Sequence, residues 1–271
     1  MVNEPIVLQS CPIPSTSRIP SSHIAKFDRH GRRILDAQAL IEFKERGFLS
    51  IPTLAPPSDI AQVRTIINAL YTQSGREYGP FNNLLHLAPE LRASSVFHAC
   101  SVIAKQLLGK MTRPACDNAL YKEPHGKHGT PWHQDAAFHS KYSPNNTIIF
   151  WIPLQDVTPE NGCMHFIPLR KLQVLLPHRP FYPNDYQSMM TDRIDPAQAI
   201  ACPLRSGDAT VHGPLTLHAA LANRTDFIRR TWTITFTPWG KWGFLTPARL
   251  LQRARLFHDR LTGSEHTGES K

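Results

Sequence analysis

The chain has 271 residues, 41% hydrophobic and 19% charged, with a mean hydropathy of −0.30. These proportions exclude a disordered, collagen-like or heptad-repeat protein, and the length suffices for a sizeable core in one β-barrel or two smaller domains. The 30 Lys and Arg against 21 Asp and Glu give a net charge of +9, spread along the chain, which favours an anionic or carrier-linked small-molecule substrate over nucleic acid.

Residues 1–30 carry Pro5, Pro12, Pro14 and Pro20 among serines without hydrophobic periodicity, and read as a flexible N-terminal arm ahead of a single domain at 31–271. The opening MVNEPIVLQSCPIPS has no basic stretch before an apolar one, so no secretory signal is predicted. The longest apolar run, Ile148 to Leu154, falls far short of the roughly 18 residues of a membrane span. Cys11, Cys100, Cys116, Cys163 and Cys202 form no C-x-x-C pair, which fits a reducing cytosol and predicts a cytoplasmic protein. Asp36 should cap a helix with Leu40 and Phe43 on its apolar stripe, stopped by Gly47 before a Phe48–Ile51 strand. A second amphipathic helix, capped by Ser58, should present Ile60, Val63, Ile67 and Leu70 on one face. A third is predicted from Ser94 to Leu108.

From about residue 117 the pattern changes to short β-like runs: Ala119–Lys122, Thr147–Leu154, Cys163–Pro168, Ala209–Val211, Leu215–His218 and Thr231–Thr237. Glu160-Asn161-Gly162 is a hairpin signal, because Asn-Gly takes the positive φ angles of tight turns. Gly207-Asp208 marks another reversal, with Asp208 as a turn residue. Helices first and strands later predict an α+β, mainly β domain: a β-barrel or double sheet with N-terminal helices packed on one sheet.

Thr130-Pro131-Trp132-His133-Gln134-Asp135 carries the most chemistry. On a strand, His133 and Asp135 point to the same face and can take adjacent positions on a metal. A distant strand must supply the third ligand, and His218 in Leu215-Thr216-Leu217-His218 does so. Two histidines and one carboxylate form the facial triad of non-haem Fe(II) oxygenases, which leaves three metal positions open. Arg229, 11 residues after His218, can hold a carboxylate near the same pocket with its planar fork. His212 competes for the third ligand position but lacks the spacing to Asn223 and Arg229. Arg230 and Trp232 alternate away from Arg229 and should face the other side. His165 reads as structural, and His139 as lining the pocket or a loop. Pro124 to Gly129 and Lys141-Tyr142 read as basic loops. Trp239, Trp242 and Phe244 could cover the pocket or pack in the core, and ARLLQRARLFHDRL reads as a basic amphipathic helix that docks on its own domain or a twin subunit, with the chain a monomer or homodimer.

TPWHQD, IIFWIPLQDVTPENGCMHFIP and SGDATVHGPLTLHAALANRTDFIRR, agreeing in order and spacing, resemble the phytanoyl-CoA dioxygenase family over roughly residues 38–240. The resemblance implies a double-stranded β-helix, a cupin-like jelly roll, and an Fe(II)- and 2-oxoglutarate-dependent dioxygenase. Such an enzyme uses O2 to oxidise a C–H bond, most simply by hydroxylation in specialised metabolism, and releases succinate and CO2. It implies His133, Asp135 and His218 as iron ligands, Arg229 for the far carboxylate of 2-oxoglutarate, Trp151 and Lys122 as further cosubstrate contacts, and Asn223 as a turn or supporting residue. Two departures stand out: Leu169-Arg170-Lys171 replaces the family's usual Gly-Ser-His-Lys after the hairpin, and Ala220 stands where a hydroxyl-bearing residue is common. Asp135 itself favours oxidation over halogenation, since halogenating relatives lack the carboxylate. The competing readings are a metal-dependent isomerase or hydrolase that does not use 2-oxoglutarate, for which Arg229 would be superfluous, and a catalytically silent binding module, in which one of the four key residues should be lost.

Overall fold

Alternation along the strands builds the molecule, a computed structural model of which describes residues 26–27, 33–138, 146–168, 174–181 and 189–238. Six antiparallel strands form the larger sheet. In chain order they are β1 (Phe48–Ile51), β2 (Gly79–Asn82), β3 (Thr112–Lys122), β5 (Ile148–Pro153), β8 (Ala209–His212) and β10 (Arg229–Pro238), and their spatial order is β1-β8-β5-β10-β3-β2. The smaller sheet, ordered β7-β6-β9-β4, contains β4 (Thr130–His133), β6 (Met164–Ile167), β7 (Ile200–Cys202) and β9 (Leu217–Ala220). Sheet faces sheet, as in a double-stranded β-helix.

The helices α1 (Ala37–Arg46), α2 (Pro57–Gln73) and α3 (Ser95–Leu108) lie on the outer face of the larger sheet. One core joins Ile60, Val63, Ile67, Val96 and Ile103 from the helices to Phe150, Ile152, Trp232, Ile234 and Phe236 from the strands. Each such side chain contributes about 1.5–3 kcal/mol on burial. The second, smaller core lies between the sheets, where Phe48 and Trp151 meet Met164, Phe166 and Ala220. Asp36 caps α1 through Ala39 N and Gly47 ends it at φ 81°, as the sequence predicts, and Ser94, the predicted first residue of α3, caps it through Phe97 N.

Three local expectations are corrected. α2 starts at Pro57 with no side-chain cap, so Ser58 lies inside it; the fixed φ of proline begins this helix instead. The strands flanking Asn161-Gly162 lie in different sheets, so the turn is a crossover and not a hairpin. Gly162 still takes φ 87°, and a Cβ there would stand 2.4 Å from the Leu221 carbonyl oxygen, so both backbone angle and packing demand glycine. Asp135 is not on a strand: β4 ends at His133, and a 3-10 turn begins at Asp135. Residues 1–25 and 28–30 of the N-terminal arm, His139, Lys141-Tyr142, the Leu169–Lys171 departure, Trp239, Trp242, Phe244 and the basic C-terminal stretch fall outside the described residues.

Candidate active site

Pairing in the smaller sheet brings the two distant histidines together. His218 of β9 stands opposite His133 of β4 on one side and Phe166 of β6 on the other, so all three side chains face the barrel interior. The His133 and His218 rings lie 4.1 Å apart between centroids. Asp135 reaches the same point from the 3-10 turn, whose Ala136 N–H donates to the Pro214 carbonyl at 2.9 Å. One ligand atom from each of His133, Asp135 and His218 can be chosen so that all lie within 4.8 Å of one another. Asp135 Oδ1 is 3.5 Å from His133 Nε2 and 3.7 Å from His218 Nε2. Bonds of ~2.1 Å set at right angles would place neighbouring donors ~3 Å apart, so the two Asp135–histidine pairs need only a small contraction around one ion.

The imidazoles are set for ligation. His133 Nδ1–H donates to the Pro131 carbonyl at 2.7 Å, and His218 Nδ1–H to that of Thr216 at 2.9 Å. A carbonyl can only accept, so each Nδ1 carries the hydrogen and each Nε2 lone pair points at the cluster. Burial, and then the neighbouring His133, hold His218 well below the ordinary histidine value and keep it neutral. Burial opposes the charge on Asp135, but its imidazole surroundings, with His212 Nε2 donating to Oδ2, outweigh that effect and hold its carboxyl well below the usual range. These residues fit a divalent ion.

Arg229 lies on the barrel side of β10, opposite Lys122 of β3. It is 1% exposed, and no carboxylate pairs with it among the described residues. Its Nη1 donates to Thr231 Oγ1 at 2.8 Å and to the Leu120 carbonyl at 3.3 Å, while Nε has no partner among the described residues. The guanidinium lies 5.7 Å from the Trp151 ring centroid. Burial pulls Arg229 down to about 10, which leaves it charged at neutral pH. Lys122 Nζ donates to the Ala220 and Leu221 carbonyls at 2.9 and 2.8 Å, and burial and then Arg229 push it well below the ordinary lysine value. An unpaired buried cation is costly, and a bound anion would neutralise it.

The remaining histidines separate clearly. His212, the rival ligand, faces the barrel from β8 but bonds Asp135 Oδ2 at 3.1 Å and stands outside the ligand cluster. His165 neighbours Phe166 on β6 with the opposite facing, is 1% exposed, and bonds the Cys163 carbonyl. Asn223 is a turn residue: its amide donates to the Glu123 and Phe227 carbonyls and accepts from Thr225, tying the end of β3 to the β9–β10 loop. Arg230 turns to the helix side over Tyr121, and Trp232 donates there to Asp117. The Pro124–Gly129 loop points His125 at Asp226, an exposed pair. Gln134, between the two β4-side ligands, was not legible as functional. It is 1% exposed, and its amide donates to the Val174 and Leu215 carbonyls and accepts from Leu176 N–H, pinning the 174–178 segment beside the metal cluster. Its only sequence signal is its place in the H-x-D triplet.

Fold and cluster together define a double-stranded β-helix with a two-histidine, one-carboxylate centre and a buried cationic anchor in the same barrel. A family model described as phytanoyl-CoA dioxygenase matches residues 43–231. The chain belongs to the phytanoyl-CoA dioxygenase family. Among curated relatives, phytanoyl-CoA dioxygenase domain-containing protein 1 of Danio rerio is 30% identical over 42% of this chain and 41% of its own length. That of Mus musculus is 28% identical over 47% of each. The chain thus matches less than half the length of these two relatives. Among solved structures, EvdO2 from Micromonospora carbonacea var. aurantiaca, complexed with 2-oxoglutarate, superposes with TM-score 0.68 at 28% identity, covering 80% of this chain and 93% of that one. SnoK, a non-haem α-ketoglutarate-dependent carbocyclase from nogalamycin biosynthesis, gives TM-score 0.62 at 28% identity over 75% and 84%. No helix among the described residues is long and apolar enough to cross a membrane.

Proposed function

We propose that the protein is an Fe(II)- and 2-oxoglutarate-dependent dioxygenase that oxidises an unactivated C–H bond of a small molecule, most simply by hydroxylation. The observation that carries this reading is the buried Arg229, without a carboxylate partner among the described residues, in the same barrel as the His133–Asp135–His218 cluster. A metal-dependent isomerase or hydrolase has no use for a dry guanidinium there. His133 Nε2, His218 Nε2 and Asp135 Oδ1 would hold the iron. When bound, the ion supplies the dioxygen chemistry in which 2-oxoglutarate is decarboxylated to succinate and CO2 and the substrate is oxidised. The chain's own residues do the rest. Arg229 anchors the far carboxylate of the cosubstrate, Trp151 walls it, and Lys122 adds positive charge beside the anchor. Phe138, edge-on to the His133 ring at 5.5 Å and 42% exposed, marks the mouth where substrate approaches.

The 28% identity to SnoK, a carbocyclase, supports cyclisation as a second reading of the same oxidative step, decided by which C–H bond the substrate presents. The test is anaerobic titration of the Fe(II)-loaded protein with 2-oxoglutarate. A weak visible charge-transfer band that saturates is the expected result. No band in protein holding one equivalent of iron overturns the assignment.

A further inference from the structure

His212 is a buried polar group of the barrel to which no role has been assigned, and its contact is specific. It is 2% exposed on β8, between the Phe48 and Ile149 positions of the flanking strands. Its ring lies 4.4 Å from that of His218 and 5.4 Å from that of Phe166, both on the facing sheet. Its Nε2 meets Asp135 Oδ2 at 3.1 Å, while Oδ1 of the same carboxylate faces the Nε2 atoms of His133 and His218. An ionised carboxylate only accepts, so His212 Nε2 carries a hydrogen and has no lone pair for a metal. His212 Nδ1 has no partner among the described residues, so the Asp135 bond is the one polar contact fixing the ring there.

The division of labour within Asp135 matters for coordination. A carboxylate binds a metal through one oxygen or through both. Asp135 begins a 3-10 turn, so strand geometry does not set its side chain. Two-oxygen binding would occupy one of the three open positions that a chelating 2-oxo acid and dioxygen require. We propose that His212 is a positioning residue that captures Asp135 Oδ2 and restricts this ligand to Oδ1, keeping the third open position available. This rests on the dioxygenase reading of the site.

The experiment compares His212→Phe, which keeps a flat ring and removes the donor, with His212→Gln, whose Nε2 can stand where the imidazole Nε2 stood. Each is loaded with Co(II), whose visible absorption intensity reports coordination number, and titrated with 2-oxoglutarate; each Fe(II) form is titrated in parallel without oxygen. The expected result is one metal per chain in all three proteins, a changed Co(II) spectrum in His212→Phe, cosubstrate affinity lowered about 10- to 100-fold in that variant, and near restoration of both by His212→Gln. A His212→Phe protein identical to wild type in spectrum and affinity overturns the inference, as does a His212→Gln protein as impaired as His212→Phe. If His212→Phe fails to fold, by circular dichroism, His212→Asn replaces it, since its shorter amide ends at the Nδ1 position and cannot reach Oδ2. Absence of a 2-oxoglutarate band in the wild type would instead remove the underlying reading, so the two failures are distinguishable.

Discussion

Along β10, Trp232, Ile234 and Phe236 look toward the helices, while Arg229, Thr231 and Thr233 look into the barrel. The same alternation sets Phe150 and Ile152 against Trp151 on β5, and Val211 against Thr210 and His212 on β8. One face of the sheet is a dry apolar contact with α2 and α3; the other carries a guanidinium, a lysine amine, an imidazole and several hydroxyls. A single set of strands therefore separates stability from chemistry by the two-residue period of the pleat. Substitutions on the outer face should cost folding free energy. Those on the inner face should cost ligand binding, and removal of a buried unpaired charge there should leave the fold at least as stable.

The sharpest contrast uses Phe150 and Arg229. Phe150→Ala opens a cavity in the helix-side core and should lower unfolding free energy by about 3–5 kcal/mol, measured by urea denaturation, while the surviving folded fraction still binds one iron. Arg229→Met removes a buried unpaired charge, so the ligand-free protein should be as stable as wild type or more so. Its 2-oxoglutarate affinity should fall by about 3 kcal/mol, roughly a hundredfold, with iron binding intact. If Arg229→Met instead unfolds the protein and leaves cosubstrate affinity unchanged, the division between the faces is wrong.

How far this division was readable from the chain depends on whether a residue's role follows strand parity. Alternation predicts that Arg230 and Trp232 face away from Arg229, and the regular strand β10 does turn them away, onto the helix side. The spacing to Asn223 and Arg229 singles out His218 over His212, and the strand register sets His218 opposite His133. Asp135 reached the predicted cluster by an unpredicted route: the 3-10 turn, not a shared strand face, brings its carboxylate to the histidines. The bond from His212 to Asp135 is invisible in the sequence, because it needs β8 of the larger sheet to face the turn after β4 of the smaller one, a relation between sheets that no local pattern encodes. Asn161-Gly162 misled for the same reason: local turn chemistry fixes the backbone reversal but not whether the next strand returns to the same sheet.

Lys122 gives the comparison a pH dependence. Its depressed value in the folded protein, against ~10.4 in an unfolded chain, means that the unfolded state holds the extra proton between those two values. Stability of the ligand-free protein should therefore rise with pH across that window, and Lys122→Met should remove this part of the slope in urea titrations at stepped alkaline pH. Binding of a dianion beside Lys122 and Arg229 favours the ammonium. In the same window wild type should then take up a proton with 2-oxoglutarate, seen as buffer-dependent heat in calorimetry, and Lys122→Met should not. Equal proton uptake by both proteins would show that Lys122 does not sense the cosubstrate.

The smallest expected effect tests the barrel face from the opposite sheet. Ala220 is 4% exposed, lies two residues beyond His218 on β9, and packs in the inner cluster with Trp151 and Met164. Its carbonyl already accepts from Lys122 Nζ, so its side chain lies near the cationic end of the site. Ala220→Ser adds one hydroxyl there without changing the strand. In the ligand-free protein that hydroxyl should cost about 1 kcal/mol if it finds no partner. With 2-oxoglutarate bound it gains a carboxylate to donate to, worth about 1 kcal/mol, so cosubstrate affinity should rise roughly fivefold while iron affinity stays constant. Tighter binding of iron instead, or equal loss of stability with and without 2-oxoglutarate, would mean that the diacid does not lie along the path from the metal cluster to Arg229.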